Sequence, residues 1–319
     1  MMSDIIFESL DFSEKKILPA SSKSVGFSSV SAVTEFCGNG SFQAVFHDSE
    51  TEEFIINHPE GLLVKWDRFQ GFITDLQFKE REKWIYGSHL NAILHKFVIP
   101  PQNVSNVNPQ DILKSIFNEH ISCINFIENA EKFNNTSYVT EKCMYADEFV
   151  KGLLGTVNAG YKVYIKNKNY YFETIKPRNN PLILSKNNLN VYELQEDFSS
   201  KNAAYGGWYY QTMEDDGTEL ENPAWIYIQK DNKNGIFKQD IILQSNSPQE
   251  AIDELNTHIN NYKITCKTRN IEYLNDYLLG DVIRLQKGDR TTYKQVSSVD
   301  IWQEGMAIHE EPTLTEQEE

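Results

Sequence analysis

Few residues of this 319-residue chain are spaced as chemistry would require. His47, Asp48 and Ser49 carry the side-chain types of a catalytic triad. Adjacent residues at a strand end point to opposite sides, however, and a triad is defined by geometry rather than adjacency. They read as the polar end of a hairpin. His89 and His95 fall on a candidate short helix at a spacing that puts them on different faces, which argues against a metal pair. Partial burial beside Leu90 and Leu94 is the expectation there. Glu214, Asp215, Asp216 and Glu219 gather carboxylates around Gly217, and Ca²⁺ wants several such oxygens. The alternating ligand positions of a Ca²⁺ loop are missing, so a solvated hairpin tip is expected. Asp231–Gly235 has Lys233 where a ligand would have to stand, and reads as a turn. Gly38-Asn39-Gly40 is too short to cradle a phosphate and no helix follows it directly, so it too is a turn. Gly206-Gly207 beside Trp208 marks a bulge or a Trp anchored in the core, with close approach of another backbone as the alternative. Among 46 acidic residues nothing singles out a glycosidase pair. The expectation is a protein that is not an enzyme, with no catalytic, cofactor-binding or metal-binding residues and no cofactor.

The elements that position these residues are mostly short strands. The chain is organised around Tyr277–Leu285, YLLGDVIRL, in which Gly280 and Asp281 turn the backbone sharply into a strand. Lys287-Gly288-Asp289 is a second turn, and Tyr293–Ile301 and Met306–His309 are further strands. A short-stranded meander of this kind closes into a small barrel. The same grammar occurs earlier: Gly61–Trp66, the turn Asp67–Gly71, the strand Phe72–Phe78, the charged turn Lys79–Lys83 and Trp84–Gly87. Before it, Ser28–Phe36, a turn at Cys37–Gly40, and Phe42, Ala44 and Phe46 alternating with polar residues make a hairpin.

Between these pieces the period changes. Asn108 caps a helix with Pro109 at its first position and an apolar face of Ile112, Leu113, Ile116 and Phe117. Ala146–Asn158 is a second helix, stopped by Gly160, and Tyr161–Ile165 with Tyr170–Ile175 a hairpin after it. Later, Tyr205–Met213, Ala224–Gln229 and Ile236–Leu243 read as strands. Ser247, Pro248 and Glu250 form a capping box for a helix with Ile252, Leu255, Ile259 and Tyr262 on one face. Lys263–Tyr273 reads as a strand. After His309 the chain turns Glu/Thr/Pro-rich, which predicts a mobile acidic tail.

Composition narrows the classes. The formal net charge of −16 lacks the basic footprint of a nucleic-acid-binding protein. No apolar run approaches a membrane helix, and the N-terminus carries no basic region of a secretory signal. Cys37, Cys123, Cys143 and Cys266 are scattered, without metal-ligand spacing, and read as reduced thiols of a protein made in a cytoplasm. The domain reading is a β-barrel over residues 1–101, with Gln102–Asn108 as a linker at its end. A helix–hairpin α+β unit follows over 102–181, then a second barrel over 182–309 carrying the amphipathic helix 247–262, and a tail over 310–319.

Several stretches together resemble the hub proteins that cap the tail tubes of phages and related contractile bacteriocins. They are FCGNGSFQAVF, GLLVKWDRFQGFITDLQF, IYGSHLNAILHKFVIPP, SPQEAIDELNTHI and NDYLLGDVIRL, spanning about Phe36 to His309. The resemblance implies a β-rich α+β fold with two tail-tube-like barrels flanking the helix–hairpin unit. It implies a homotrimeric ring that presents pseudo-sixfold symmetry to the tube and threefold symmetry to a spike, fibre or lysin. The partners it implies are the chain itself, a tail tube or distal tail protein, a tape measure protein and the spike, fibre or lysin, at the tip of a virion tail assembled in the host cytoplasm. Sequence-specific nucleic-acid binding and a membrane span are not expected. Two other classes make different demands. A carbohydrate- or receptor-binding tail module calls for an exposed aromatic platform, with Trp208, Tyr209, Tyr210 and Trp225 as candidates. A cell-wall hydrolase calls for convergent carboxylates with perturbed pKa values in a cleft.

Overall fold

The computed structural model describes residues 3–20, 26–79, 82–196, 204–229, 239–257, 263–304 and 307–315. Alternation of apolar and polar residues builds most of it into strands, and thirteen of these, drawn from residues 5–89 and 179–315, form one sheet. From the strand Phe27–Glu35 the sheet runs one way through Ser41–Phe46, Glu82–His89, Phe69–Lys79, Leu62–Trp66 and Ile5–Ser9 to Lys15–Leu18. The other way it runs through Arg290–Glu304, Ala307–Thr315 and Ile264–Thr268 to Val191–Glu196. Val282–Lys287 branches from it, antiparallel to Arg290–Glu304 and parallel to Asn179–Ser185.

The seam between the halves is the antiparallel pair of Phe27–Glu35 with Arg290–Glu304, where Thr34 faces Val299 and Ala32 faces Ile301. The two outer segments therefore share one hydrogen-bonded sheet of open order, and their apolar faces merge in one core. Phe42, Trp66 and Ile85 belong to the same cluster as Ile283, Val296 and Leu314. The physical reason lies in the 15-residue strand Arg290–Glu304. It pairs with Val282–Lys287 along its start, and its remaining length would leave one edge unpaired without Phe27–Glu35.

The stretch predicted to organise the chain does so through Asp281. Gly280 adopts φ +82°, and a Cβ there would lie 2.2 Å from the Phe36 ring. Asp281 is buried, and its carboxylate accepts from Arg178 Nε at 2.7 Å, Asn180 Nδ2 at 2.7 Å and the Leu278 backbone N–H at 2.9 Å. The same Phe36 ring covers Gly160, where a Cβ would approach to 2.4 Å. One ring thus fastens the first segment to both later ones.

The middle segment is an α+β arrangement whose core is completed by Leu63, Leu90, Leu94 and Ile99 of the first segment. Three helices precede it or lie in it: α1 (Ser49–Ile56), α2 (Pro109–His120) and α3 (Ala146–Gly155). α2 is capped as predicted, Asn108 Oδ1 accepting from the Gln110 N–H at 3.0 Å with Pro109 following. Ile112, Leu113, Ile116 and Phe117 are buried against α3 and the hairpin Gly160–Lys166/Asn169–Ile175. Side chains of the first segment close the hairpin's edge: the Val163 N–H donates to Asn91 Oδ1 at 2.8 Å and the Ile165 N–H to Gln70 Oε1 at 2.9 Å.

Four expectations change. The linker Gln102–Asn108 is mostly strand, Gln102–Val107 pairing with Thr136–Thr140. The tail is strand to Thr315, because Leu314 reaches the core between Val296 and Ile264. α1 was not anticipated. α4 (Pro248–Thr257) buries Ala251 and Leu255 and leaves Ile252 exposed; Ile259 and Tyr262 lie outside the described residues, as does Asp231–Gly235. No described helix is long and apolar enough to cross a membrane.

Candidate interaction surfaces

A separate three-stranded sheet stands outside the two cores. Its central strand Ala204–Met213 pairs antiparallel with Glu219–Gln229 and parallel with Gln239–Ile242. Side chains alternate between its faces. Tyr209 points inward and packs with Leu243, Ala251 and Leu255 beneath α4, only 1% exposed. Trp208 and Tyr210 point outward. Across the strand pair Trp208 faces Tyr227 and Tyr210 faces Trp225, giving two aromatic rungs with ring centroids 5.2 and 5.4 Å apart. Trp208 is 46% and Trp225 54% exposed, and Ile242 extends the first rung onto the third strand. Three of the four residues expected as an aromatic platform share this surface; Tyr209 does not.

The glycine pair explains how the face is built. A Cβ on Gly206 would lie 2.2 Å from the Tyr227 hydroxyl, so the Tyr227 ring lies across that position and donates to Asp240 Oδ1 at 2.9 Å. Gly207 admits Leu243 on the opposite side, where a Cβ would come within 2.7 Å. The register shift between Ala204 and Gly206 is the expected bulge, whereas Trp208 is surface rather than core. Tyr227 was missed as a rung; its signal was its place opposite Trp208 in the hairpin register.

The acidic tip between these strands has local work. The Thr218 hydroxyl and the Thr218 N–H, the latter at 3.0 Å from Oδ1, hold the Asp216 carboxyl below its ordinary pKa. Asp215 Oδ1 accepts from the Gln249 N–H, in the first turn of α4, at 2.8 Å. Glu250 accepts from the Asn246 N–H at 3.3 Å, one residue before the expected capping-box position. These carboxylates serve backbone donors and diverge.

The other candidates resolve as structure. Asp48 caps α1, its carboxylate 2.8 Å from the Thr51 N–H and 2.5 Å from the Thr51 hydroxyl. The signal was present in Asp48 followed by Glu50 and Glu52, acids suited to a helix start. His89 precedes the 3₁₀ helix Leu90–Lys96 and accepts the Asn91 N–H on Nδ1 at 3.2 Å. Burial pushes its pKa down to about 4. His95 stacks on Tyr145 at 3.9 Å and its Nδ1 lies 3.0 Å from Asp147 Oδ1, which joins the 3₁₀ helix to α3. Asn39, in the glycine turn, donates to the same carboxylate at 3.3 Å.

Where the segments meet, a cleft of about 370 Å³ is lined by Thr34, Arg68, Gln70, Asn91, Tyr161 and Tyr273 among others. Arg68 donates to the Tyr273 carbonyl, to Glu310 Oε1 at 2.5 Å and to Glu272 Oε2 at 3.1 Å. Burial raises the Glu310 pKa, and Arg68 opposes that shift. Arg68, Gln70 and Asn91 tie segments together here. Glu35 and Glu173 also line the space, Glu173 paired with Lys162 at 3.1 Å.

The fold is similar to those of solved tail proteins. The fold matches a tail protein from Neisseria meningitidis MC58, with a TM-score of 0.59 at 11% identity over 99% of this chain and 97% of that one. It matches a 43 kDa tail protein of prophage MuSo2 from Shewanella oneidensis, with a TM-score of 0.60 at 9% identity over 98% and 97%. It also matches prophage tail protein gp18 from Listeria monocytogenes EGD-e, with a TM-score of 0.56 at 13% identity over 99% and 95%. No protein-family model and no curated protein sequence matches the chain.

Proposed function

We propose that this protein is the structural hub of a phage-like tail, a non-enzymatic subunit that closes into a homotrimeric ring at the tail tip. The ring terminates the tail tube, converts its symmetry and anchors a spike, fibre or lysin. The observation that carries this reading is the likeness to solved tail proteins along nearly the whole length of both chains. Its partners are further copies of itself, a tube or distal tail protein, a tape measure protein and the terminal spike or fibre. In this reading each half of the large sheet presents a tube-like face, and Lys15–Leu18 and Val191–Glu196, which end the sheet's path among the described residues, offer strand edges to neighbouring subunits. The −16 charge suits a lumen through which DNA slides without sticking. Assembly takes place in the host cytoplasm, and the mature location is the virion.

Light scattering coupled to size exclusion, with imaging of the same peak, tests it. The expected result is three times the subunit mass and closed rings with a central hole, formed by the chain alone or on mixing with its tube and distal tail proteins. A strict monomer in both conditions overturns the ring.

A further inference from the structure

We propose that the outer face of the three-stranded sheet is a glycan-binding surface whose ligand is a neutral polysaccharide. The inference does not depend on ring formation. Four rings, Trp208, Tyr210, Trp225 and Tyr227, stand on one side of the sheet in two rungs. α4 covers the opposite side, and the aromatic side stays exposed. Exposed aromatic rings gathered on one sheet face are the kind of surface that binding sites use. Successive rungs on a strand are about 6.6 Å apart, so the rings, tilted by 49° and 54° within the two rungs, form an open strip. A pyranose ring offers an apolar C–H face that stacks on such rings, and hydroxyls around its rim that donate to acceptors. Acceptors flank the strip: Asp240 beside Tyr227, and Glu219 and Glu221 along the same strand as Trp225.

Charge selects among occupants. None of the described residues in these three strands is Lys or Arg, and the turn at Glu214–Asp216 adds carboxylates at one end; Lys230, Lys233 and Lys238, between the second and third strands in sequence, lie outside the described residues. Phosphate-bearing polymers are disfavoured at the acidic end. A second copy meeting this face symmetrically would set acids against acids. Protein interfaces share this face's aromatics but are enriched in Arg and depleted of Asp and Glu, unlike its acidic end. A neutral sugar polymer meets no such penalty.

The test uses the full chain, with tryptophan fluorescence and calorimetric titration against neutral hexasaccharides of glucose, N-acetylglucosamine, mannose and galactose. A DNA duplex, phosphatidylglycerol vesicles and polyglycerol phosphate serve as anionic probes. The expected result is saturable binding of at least one neutral oligosaccharide, weakened about tenfold or more in the double variant Trp208→Ala/Trp225→Ala. Trp208→Phe/Trp225→Phe retains part of the affinity, and Tyr293→Ala, exposed elsewhere, changes nothing. Matched thermal midpoints establish that the alanine variant is folded; if it is not, the phenylalanine pair and Trp225→Ala alone carry the comparison. No binding to any neutral oligosaccharide, binding indifferent to the tryptophans, or preference for an anionic probe overturns the proposal. Self-association abolished by the tryptophan variants also overturns it, in favour of a protein occupant.

Discussion

Replacing Asp281 with Ala removes the acceptor on which the turn into Val282–Lys287 is built. The carboxylate is 2% exposed and serves Arg178, Asn180 and the Leu278 N–H. Hydrogen bonds to a charged group contribute about 1.5–3 kcal/mol each, and breaking a buried ion pair from one side costs about 3–5 kcal/mol. Arg178 is 59% exposed and regains water once released, so the loss belongs at the low end. An overall destabilisation of about 3 kcal/mol follows, a fall in melting temperature of about 4–6 °C for a chain of this size. Arg178→Ala should cost less, because Asn180 and the backbone N–H still satisfy the carboxylate. Scanning calorimetry of both variants under one buffer reads the difference. An Asp281→Ala midpoint within about 1 °C of the parent protein would refute the reasoning. Equal losses in the two variants would show that the ion pair, rather than the turn, holds this junction.

Two further outcomes follow from the same geometry. Gly280→Ala meets both a left-handed backbone and the Phe36 ring, and should destabilise by about 2–4 kcal/mol, read as a lower urea midpoint. Desolvation of the half-buried His89 ring pushes its pKa down to about 4, whereas in the unfolded chain it protonates near 6.5. Its depressed pKa therefore contributes stability that is complete above pH 6.5 and is lost as pH falls toward 4, about 3 kcal/mol in all. A His89→Asn variant, which keeps an acceptor for the Asn91 N–H, should show a flatter stability profile across that window in urea titrations.

Local signals settled much of this protein in advance. The caps at Asn108 and Pro109 fixed α2, and alternation in Phe42–Phe46 and Tyr161–Ile165 fixed strands whose buried sides are those expected. Gly280-Asp281 marked the turn because only those residue types suit its backbone and its hydrogen bonds. Such features lie within a few residues, so their physics is written in a short window. The pairing of Phe27–Glu35 with Arg290–Glu304 is not. It joins segments more than 250 residues apart, and an edge strand reads the same whichever partner it takes. The tail after His309 misled for a related reason: its Glu, Pro and Thr carry the composition of a mobile end, but Leu314 has a core position waiting between its hairpin partner Arg290–Glu304 and the more remote strand Ile264–Thr268. The aromatic surface was half legible. Trp208, Tyr210 and Trp225 were visible as candidates, yet which rings face outward depends on the strand's pleat and on where α4 docks, and that excluded Tyr209 and added Tyr227. Sequence determined the elements, the turns and the acidic character; tertiary pairing alone decided that the two ends of the chain form one sheet, because the free energy of closing an exposed edge is gained only when a distant strand arrives.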